Sequence, residues 1–333
     1  MGNVAFDVLI NFLFSIVIYS IPLLYGTVGE IVTEKSGSLN LGVEGTMAIG
    51  GVAGYIIGCS TNSVIIGIMA AMVFGALCGL VFSFLTVTLQ ANQNVTGLTM
   101  TTFGLGIYFF VGNGLASAGK WPIMTNFTNI IKSWEAKIPV LCDIPVIGKL
   151  LFSYNVFVYL AVIIAVAVYM YMKYTKMGLK MRAIGENPGA ADSLGVNVIA
   201  YKYAHIMLGS AIMGIGGLYM GLNLGGSFEG STCWINGYGW IAIALVIFAG
   251  WNTVTAILGT LVFGFFNTLQ VYNSDLAYAF PKLLGWLSKI PPHLFKALPF
   301  IITAIVLFVA SVKKKKNPNE PSACGVNYYR EDR

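Results

Sequence analysis

Bond-making chemistry has little to work with in this sequence. The two histidines, His205 and His293, stand far apart, and neither HExxH nor CxxC occurs. The five cysteines, at 59, 78, 142, 233 and 324, have no metal-ligand spacing. Gly114 to Lys120 match the first seven places of a phosphate-binding loop. The eighth place needs Ser or Thr for magnesium and holds Trp121, and no strand pattern precedes it. Asn94-Val95-Thr96 and Asn126-Phe127-Thr128 match only a glycosylation pattern. Glu44 reads as the one carboxylate inside an apolar segment, which makes it a functional candidate. It also suits the positive pole of a helix N-terminus. The other candidates are neutral: Asn94, Thr101, Thr102, Asn113, Asn223, Asn267 and Gln270. Polar groups in lipid need a partner or a water-lined cavity. This set can bond helix to helix, or bind and pass a neutral solute. It does not compose a catalytic constellation.

The elements that carry these residues are membrane spans. The chain is 57% hydrophobic and 10% charged, with a mean hydropathy of +0.78. A soluble domain carries about 25% charged residues, so the expected fold class is an all-α polytopic membrane protein. Nine apolar stretches are long enough or nearly so to cross a bilayer: 8–29, 39–58, 64–88, 95–115, 153–172, 203–224, 239–251, 254–272 and 297–312. The first carries no Lys or Arg before it and no small-residue cleavage site after it, so it reads as a retained span. The stretch 239–251 is too short to cross unaided and needs tilt or extension through Ile235 to Tyr238.

Charge orients the spans. The net charge of +6 sits mainly in 173–202 and in Lys313 to Lys316. A Lys/Arg-rich loop stays on the cytoplasmic side. With 173–202 inside, alternation puts the N-terminus outside and the C-terminus inside, and twelve of the nineteen Lys and Arg fall inside. The charge therefore reports topology and not nucleic-acid binding. The expected domains are a membrane-spanning body, 1–312, and a polar, disordered basic tail, 313–333. Loops 116–152 and 273–296 face outside, with room for short interfacial helices. Cys142 and Cys233 both fall in such outside loops, which leaves a disulfide between them open. Glycines four apart, as in Gly50/Gly54/Gly58, Gly75/Gly79 and Gly217/Gly221/Gly225, predict close helix packing. Segments 39–58 and 239–251 share small residues and run in opposite directions, the pattern of an inverted repeat.

The stretch 173–202 holds one further element. Asn187 is a good N-cap and Pro188 suits the first helical position. Gly189 to Leu194 can form about two turns, and Gly195 can end them with a left-handed residue. A short cytoplasmic helix results. Its small face, Ala190 and Ala191 with Leu194, calls for a protein partner.

At these residues the sequence resembles a known family. Arg182-Ala-Ile-Gly185-Glu186-Asn187-Pro188-Gly-Ala190-Ala191-Asp-Ser-Leu-Gly195 resembles the coupling segment of ABC importer permeases of the branched-chain amino acid, ribose and nucleoside group. Gly37 to Gly45, Gly237 to Leu245 and Ala256 to Gly264 resemble the same group. The run Trp240 to Phe248, followed by Gly250-Trp251-Asn252, is most similar to the nucleoside permeases. The resemblance implies a transport subunit and not an enzyme. It also implies an ABC ATPase subunit that holds ATP and magnesium, so this chain itself carries no cofactor. Arg182, Gly185, Glu186, Asn187, Pro188, Ala190, Ala191 and Gly195 would couple to that ATPase. A second permease subunit, a copy or an unlike paralogue, and an extracytoplasmic binding lipoprotein complete the assembly within the lipid of the cell membrane. Ribose or another simple sugar is the alternative cargo. An ion-coupled secondary transporter is the alternative machine, against which the scarcity of intramembrane charge argues.

Overall fold

The structure is a computed structural model and describes residues 2–117, 147–225, 233–312 and 319–329. Its elements are helices. α1 spans Gly2–Lys35, α2 Val43–Thr61, α3 Val64–Ser83 and α4 Gln93–Ser117. α5 spans Ile147–Phe152, α6 Val156–Tyr174, α7 Lys176–Glu186, α8 Pro188–Ser193 and α9 Val198–Met220. α10 spans Tyr238–Phe248, α11 Thr253–Ala279, α12 Pro281–Leu284 and α13 Pro292–Val312. α3 and α9 each end in a five-residue π turn, Phe84–Thr88 and Gly221–Gly225.

Every predicted apolar stretch contains a helix. Seven helices among the described residues are long and apolar enough to span a membrane. α10, with 11 residues, is not one of them. Among the described residues, α10 and α13 stand beside these seven.

α1 and α9 form the spine. They run antiparallel: Tyr219 OH donates to Ile18 O at 3.2 Å, Gly29 lies against Gly209, and Lys202 Nζ reaches Gly37 O at 3.4 Å. The backbones nearly touch, since a Cβ on Gly209 would lie 2.4 Å from Gly29 O. On Gly217 it would lie 1.8 Å from Met47 O of α2. Without a hydrophobic drive between helices in lipid, such contact is how they associate. Two sets of contacts are paired across this spine. α1 packs on α11 as α9 packs on α3, and α1 packs on α10 as α9 packs on α2. Because α1 and α9 are antiparallel, these paired contacts run in opposite directions.

One segment departs from regular helix inside the bundle. Cys233 to Gly237 is non-helical, and its first three residues are buried: Trp234 packs on Tyr55 and Tyr108, and Ile235 is fully enclosed, while Asn236 is exposed. Irregular backbone survives at such depth only inside protein. The crossing expected at 239–251 is therefore a half-length helix preceded by a buried turn. Its extension through Ile235 does not continue the helix, because Asn236 and Gly237 adopt positive φ, 43° and 88°.

The tail is a second departure. It was expected to be disordered, but 319–329 folds back against α7, α8 and the α3–α4 linker. Side-chain amides and a tyrosine hydroxyl replace the apolar surface that the segment lacks.

The glycine contacts yield a contrast. Gly217→Val forces a side chain into Met47 backbone, an overpacking change of at least ~1–3 kcal/mol. Gly106→Ala on α4 meets nothing within 4 Å. The first variant is expected to lower the thermal unfolding midpoint in detergent by several degrees. The second is expected to leave it unchanged.

Candidate functional site

Two places concentrate the polar residues: the α7–α8 turn at one end of the bundle, and the buried start of α10. At the turn, Asn187 does two jobs. Its N–H closes α7 on Ala183 O at 2.9 Å, and its Oδ1 accepts from Ala190 N at 3.0 Å to cap α8. Pro188 occupies the first turn, and Gly195 ends the element at φ 80°. Asn197 then caps α9 through Ala200 N at 3.0 Å. The whole unit is built from local capping rules.

What this unit offers differs in part from expectation. Ala190 is exposed, and Leu194 is 84% exposed. Ala191 is buried with Ile184 and Val198 of its own chain. The small face of Ala190 and Ala191 together is thus corrected: residues 190 and 194 point out, and residue 191 holds α8 down. Gly185 is also internal, since a Cβ there would lie 2.4 Å from Lys35 O. Glu186, Asn187 and Gly195 are exposed, and Pro188 is half-buried. Arg182 is half-buried in a cleft with Lys35, Tyr169 and Trp251. The sequence pattern did not reveal that an eleven-residue helix, α7, precedes α8.

Inside the bundle, Glu44 lies in the first turn of α2 and is buried. Its Oε1 accepts from Gly237 N at 2.7 Å and its Oε2 from Gly239 N at 2.8 Å. Those N–H groups belong to the start of α10. One carboxylate therefore sits between two helix N-termini, where positive dipole ends favour an anion. The junction is deep: Gly104 packs on Gly45, eleven residues beyond the start of α4 at Gln93, or about 16 Å along the helix. Glu44 is thus enclosed among helix ends within the protein.

Glu44 has company that the sequence reading missed. α1 runs on past residue 29, and Glu30 and Glu34 are buried on one face of it. Glu30 Oε1 accepts from Asn40 N at 3.0 Å, and Glu34 Oε2 accepts from Trp251 Nε1 at 2.5 Å. The signal was present in the unbroken apolar run Ile31-Val32 between them. Cys324, from the folded-back tail, approaches the same pair, and burial raises its thiol pKa far above the usual value.

The neutral candidates do not form one site. Thr101 donates to Leu41 O at 3.0 Å and is buried. Asn223 accepts from Asn155 Nδ2 at 2.9 Å and donates to Tyr219 O at 3.3 Å. Asn267 and Gln270 are half-buried on α11, and the Asn267 amide nitrogen is enclosed without a partner. Asn94 is exposed in the first turn of α4. Thr102 and Asn113 share with Thr99 and Gly106 an exposed stripe along α4, flanked by Phe103 and by Phe110, which is 81% exposed. Cys233 is a buried free thiol, and its considered partner Cys142 lies outside the described residues, as does most of loop 116–152. His205 is held between Tyr171 OH at 2.9 Å and Tyr201 O at 2.6 Å.

Seven apolar spans, with the short helix α10 beginning against the buried first turn of α2, define an integral membrane protein. The family described as "Branched-chain amino acid transport system / permease component" matches residues 12–307, and the chain belongs to it. The chain is 33% identical over 321 residues to the nucleoside ABC transporter permease protein NupC of Lactococcus lactis, covering 94% of this chain and 95% of that one. It is 30% identical over 326 residues to the guanosine ABC transporter permease protein NupQ of Bacillus subtilis, covering 93% and 94%. It is 29% identical over 322 residues to the putative glucose ABC transporter permease protein TsgC13 of Haloferax volcanii, covering 93% and 94%. No solved structure matches.

Glu44→Gln tests the junction. The amide replaces one acceptor oxygen with a donor that faces a backbone N–H. An unsatisfied buried donor costs ~1–3 kcal/mol. The expected result is a clearly lowered unfolding midpoint in detergent. Asn94→Ala, at an exposed position, is expected to leave it unchanged.

Proposed function

We propose that this chain is the permease subunit of an ATP-driven importer for nucleosides. It does not hydrolyse ATP; a separate ABC ATPase with bound ATP and magnesium does so. The observation that carries the reading is α8: a short helix held by caps and by Ala191, with Ala190 and Leu194 left open. An 84% exposed leucine on a two-turn helix fits a protein groove. In this reading the α8 end is cytoplasmic, the N-terminus lies outside and the C-terminus inside. Glu186, Asn187, Pro188, Ala190 and Gly195 face the ATPase, while Arg182, Gly185 and Ala191 position α8 from within.

The cargo reading draws on the relatives named for nucleoside and guanosine transport, together with α4. Its exposed stripe combines Thr99, Thr102 and Asn113 with Phe103 and Phe110. Hydroxyls and an amide between aromatic rings suit a base and a ribose. This face lies open toward a second permease subunit, a copy or a paralogue, and the route runs between them. An extracytoplasmic lipoprotein delivers the solute. The putative glucose permease relative, nearly as similar, supports a sugar as the second reading.

Two measurements test this. Ala190→Arg places a large charge in the groove, where burial of an unpaired charge costs ~3–5 kcal/mol. The ATPase is expected to be lost on co-purification, whereas Asn62→Ala, on the α2–α3 turn, retains it. Phe110→Ala is expected to lower radiolabelled nucleoside uptake about tenfold in a strain without other nucleoside transporters. Sugar uptake without nucleoside uptake would move the assignment to the second reading.

A further inference from the structure

Residues 319–329 form a polar strap across the α8 end of the bundle. Fixing the backbone of each residue costs ~1–2 kcal/mol, so a polar segment of this kind is ordered only by specific contacts. Besides a bond from Lys35 Nζ, at the end of α1, to Asn319 O, it has three anchor points. At the α7–α8 turn, Ala323 N donates to Gly185 O at 2.8 Å and Ser322 N to Glu186 Oε2 at 3.4 Å. On α8, Tyr328 OH donates to Asp192 Oδ2 at 2.8 Å. On the α3–α4 linker, Asn327 Nδ2 donates to Gln90 O at 2.6 Å and Ala91 O at 3.1 Å, and Gln90 Nε2 donates to Tyr328 O at 2.9 Å.

The third anchor continues inward. Gln93 Nε2 donates to Asn327 Oδ1 at 2.9 Å, and its Oε1 accepts from Leu39 N at 2.8 Å. One amide thus joins the strap to the α1–α2 linker. Asn40 in that linker bonds Glu30 and, through Oδ1, Gly42 N at 2.9 Å, directly before α2 and Glu44. α8 itself packs on α7 and α9. The strap therefore gives α8 a separate connection to the helix pair that meets at Glu44.

We propose that Asn327 and Tyr328 are positioning residues for transport, and that the strap passes displacement of α8 to the α1–α2 linker and the Glu44 junction. This rests on the reading of α8 as the ATPase dock. Spatial intermediacy alone does not establish coupling, so the readout must be coupling itself.

The experiment uses the whole importer, permease with ATPase and receptor, in proteoliposomes. It measures ATP hydrolysed per nucleoside carried, together with ATPase retention on purification. Tyr328→Phe and Asn327→Ala are expected to keep the ATPase bound while raising the ATP-to-nucleoside ratio at least tenfold. Tyr328→Phe combined with Asp192→Ala should be no worse than the more severe single variant, since each removes the Tyr328–Asp192 bond. Val326→Ala, at an exposed strap position, should keep the wild-type ratio. A wild-type ratio in Tyr328→Phe and Asn327→Ala would overturn the proposal, even if the amount of folded protein fell. Loss of the ATPase from these variants would also overturn it, since the strap would then serve docking alone. Failure of the docking reading shows separately, as full ATPase retention by Ala190→Arg.

Discussion

The bond from Glu44 to the start of α10 is the contact on which the architecture turns. A helix that begins inside a membrane leaves N–H groups with no water to satisfy them. Glu44 accepts from two of them, at Gly237 and Gly239. A carboxylate buried alone would be costly there. Set between the positive ends of α2 and α10, it is stabilised by the groups that it satisfies. Remove the carboxylate and α10 has no reason to start where it does. The Gly237 and Gly239 N–H groups would then lose their acceptor.

Around this junction the bundle is assembled by absence of side chain. Gly29 and Gly209, and Gly217 with Met47, bring backbones into contact. The close approach fixes α9 against both α1 and α2. It thereby sets the heights at which the polar groups meet. Glu30 and Glu34 follow from the same geometry. They can be buried on α1 because Asn40 N and Trp251 Nε1 arrive there as donors. The chain thus keeps three carboxylates enclosed, each with named donors.

The α8 end is built in another way. Its helices are short and capped, and little of α8 is buried beyond Ala191. Their position is held by hydrogen bonds from the strap, with Tyr328 on Asp192 and Asn327 on the α3–α4 linker. Hydrogen bonds are directional, so they orient α8 without a large buried core around it. Leu194, the residue that closes α8, is left exposed.

Much of this was legible in the residues themselves. Spans follow from hydropathy, because lipid selects apolar side chains at every position of a crossing helix. The Asn187-Pro188 start and Gly195 end of α8 were readable because caps depend on neighbours within four residues. Glycine spacing foretold close packing for the same local reason. The membrane class, the short helix and the family resemblance therefore came from sequence alone. Tertiary structure decided the rest. It alone placed Ala191 inward and Leu194 outward, since helical phase does not say which side the protein occupies. It alone buried Glu30 and Glu34, joined Glu44 to a helix some two hundred residues away in the chain, and ordered a polar tail that composition assigned to solvent. In each case the deciding partner is a donor or a backbone distant in sequence, and no local pattern encodes which distant group will arrive.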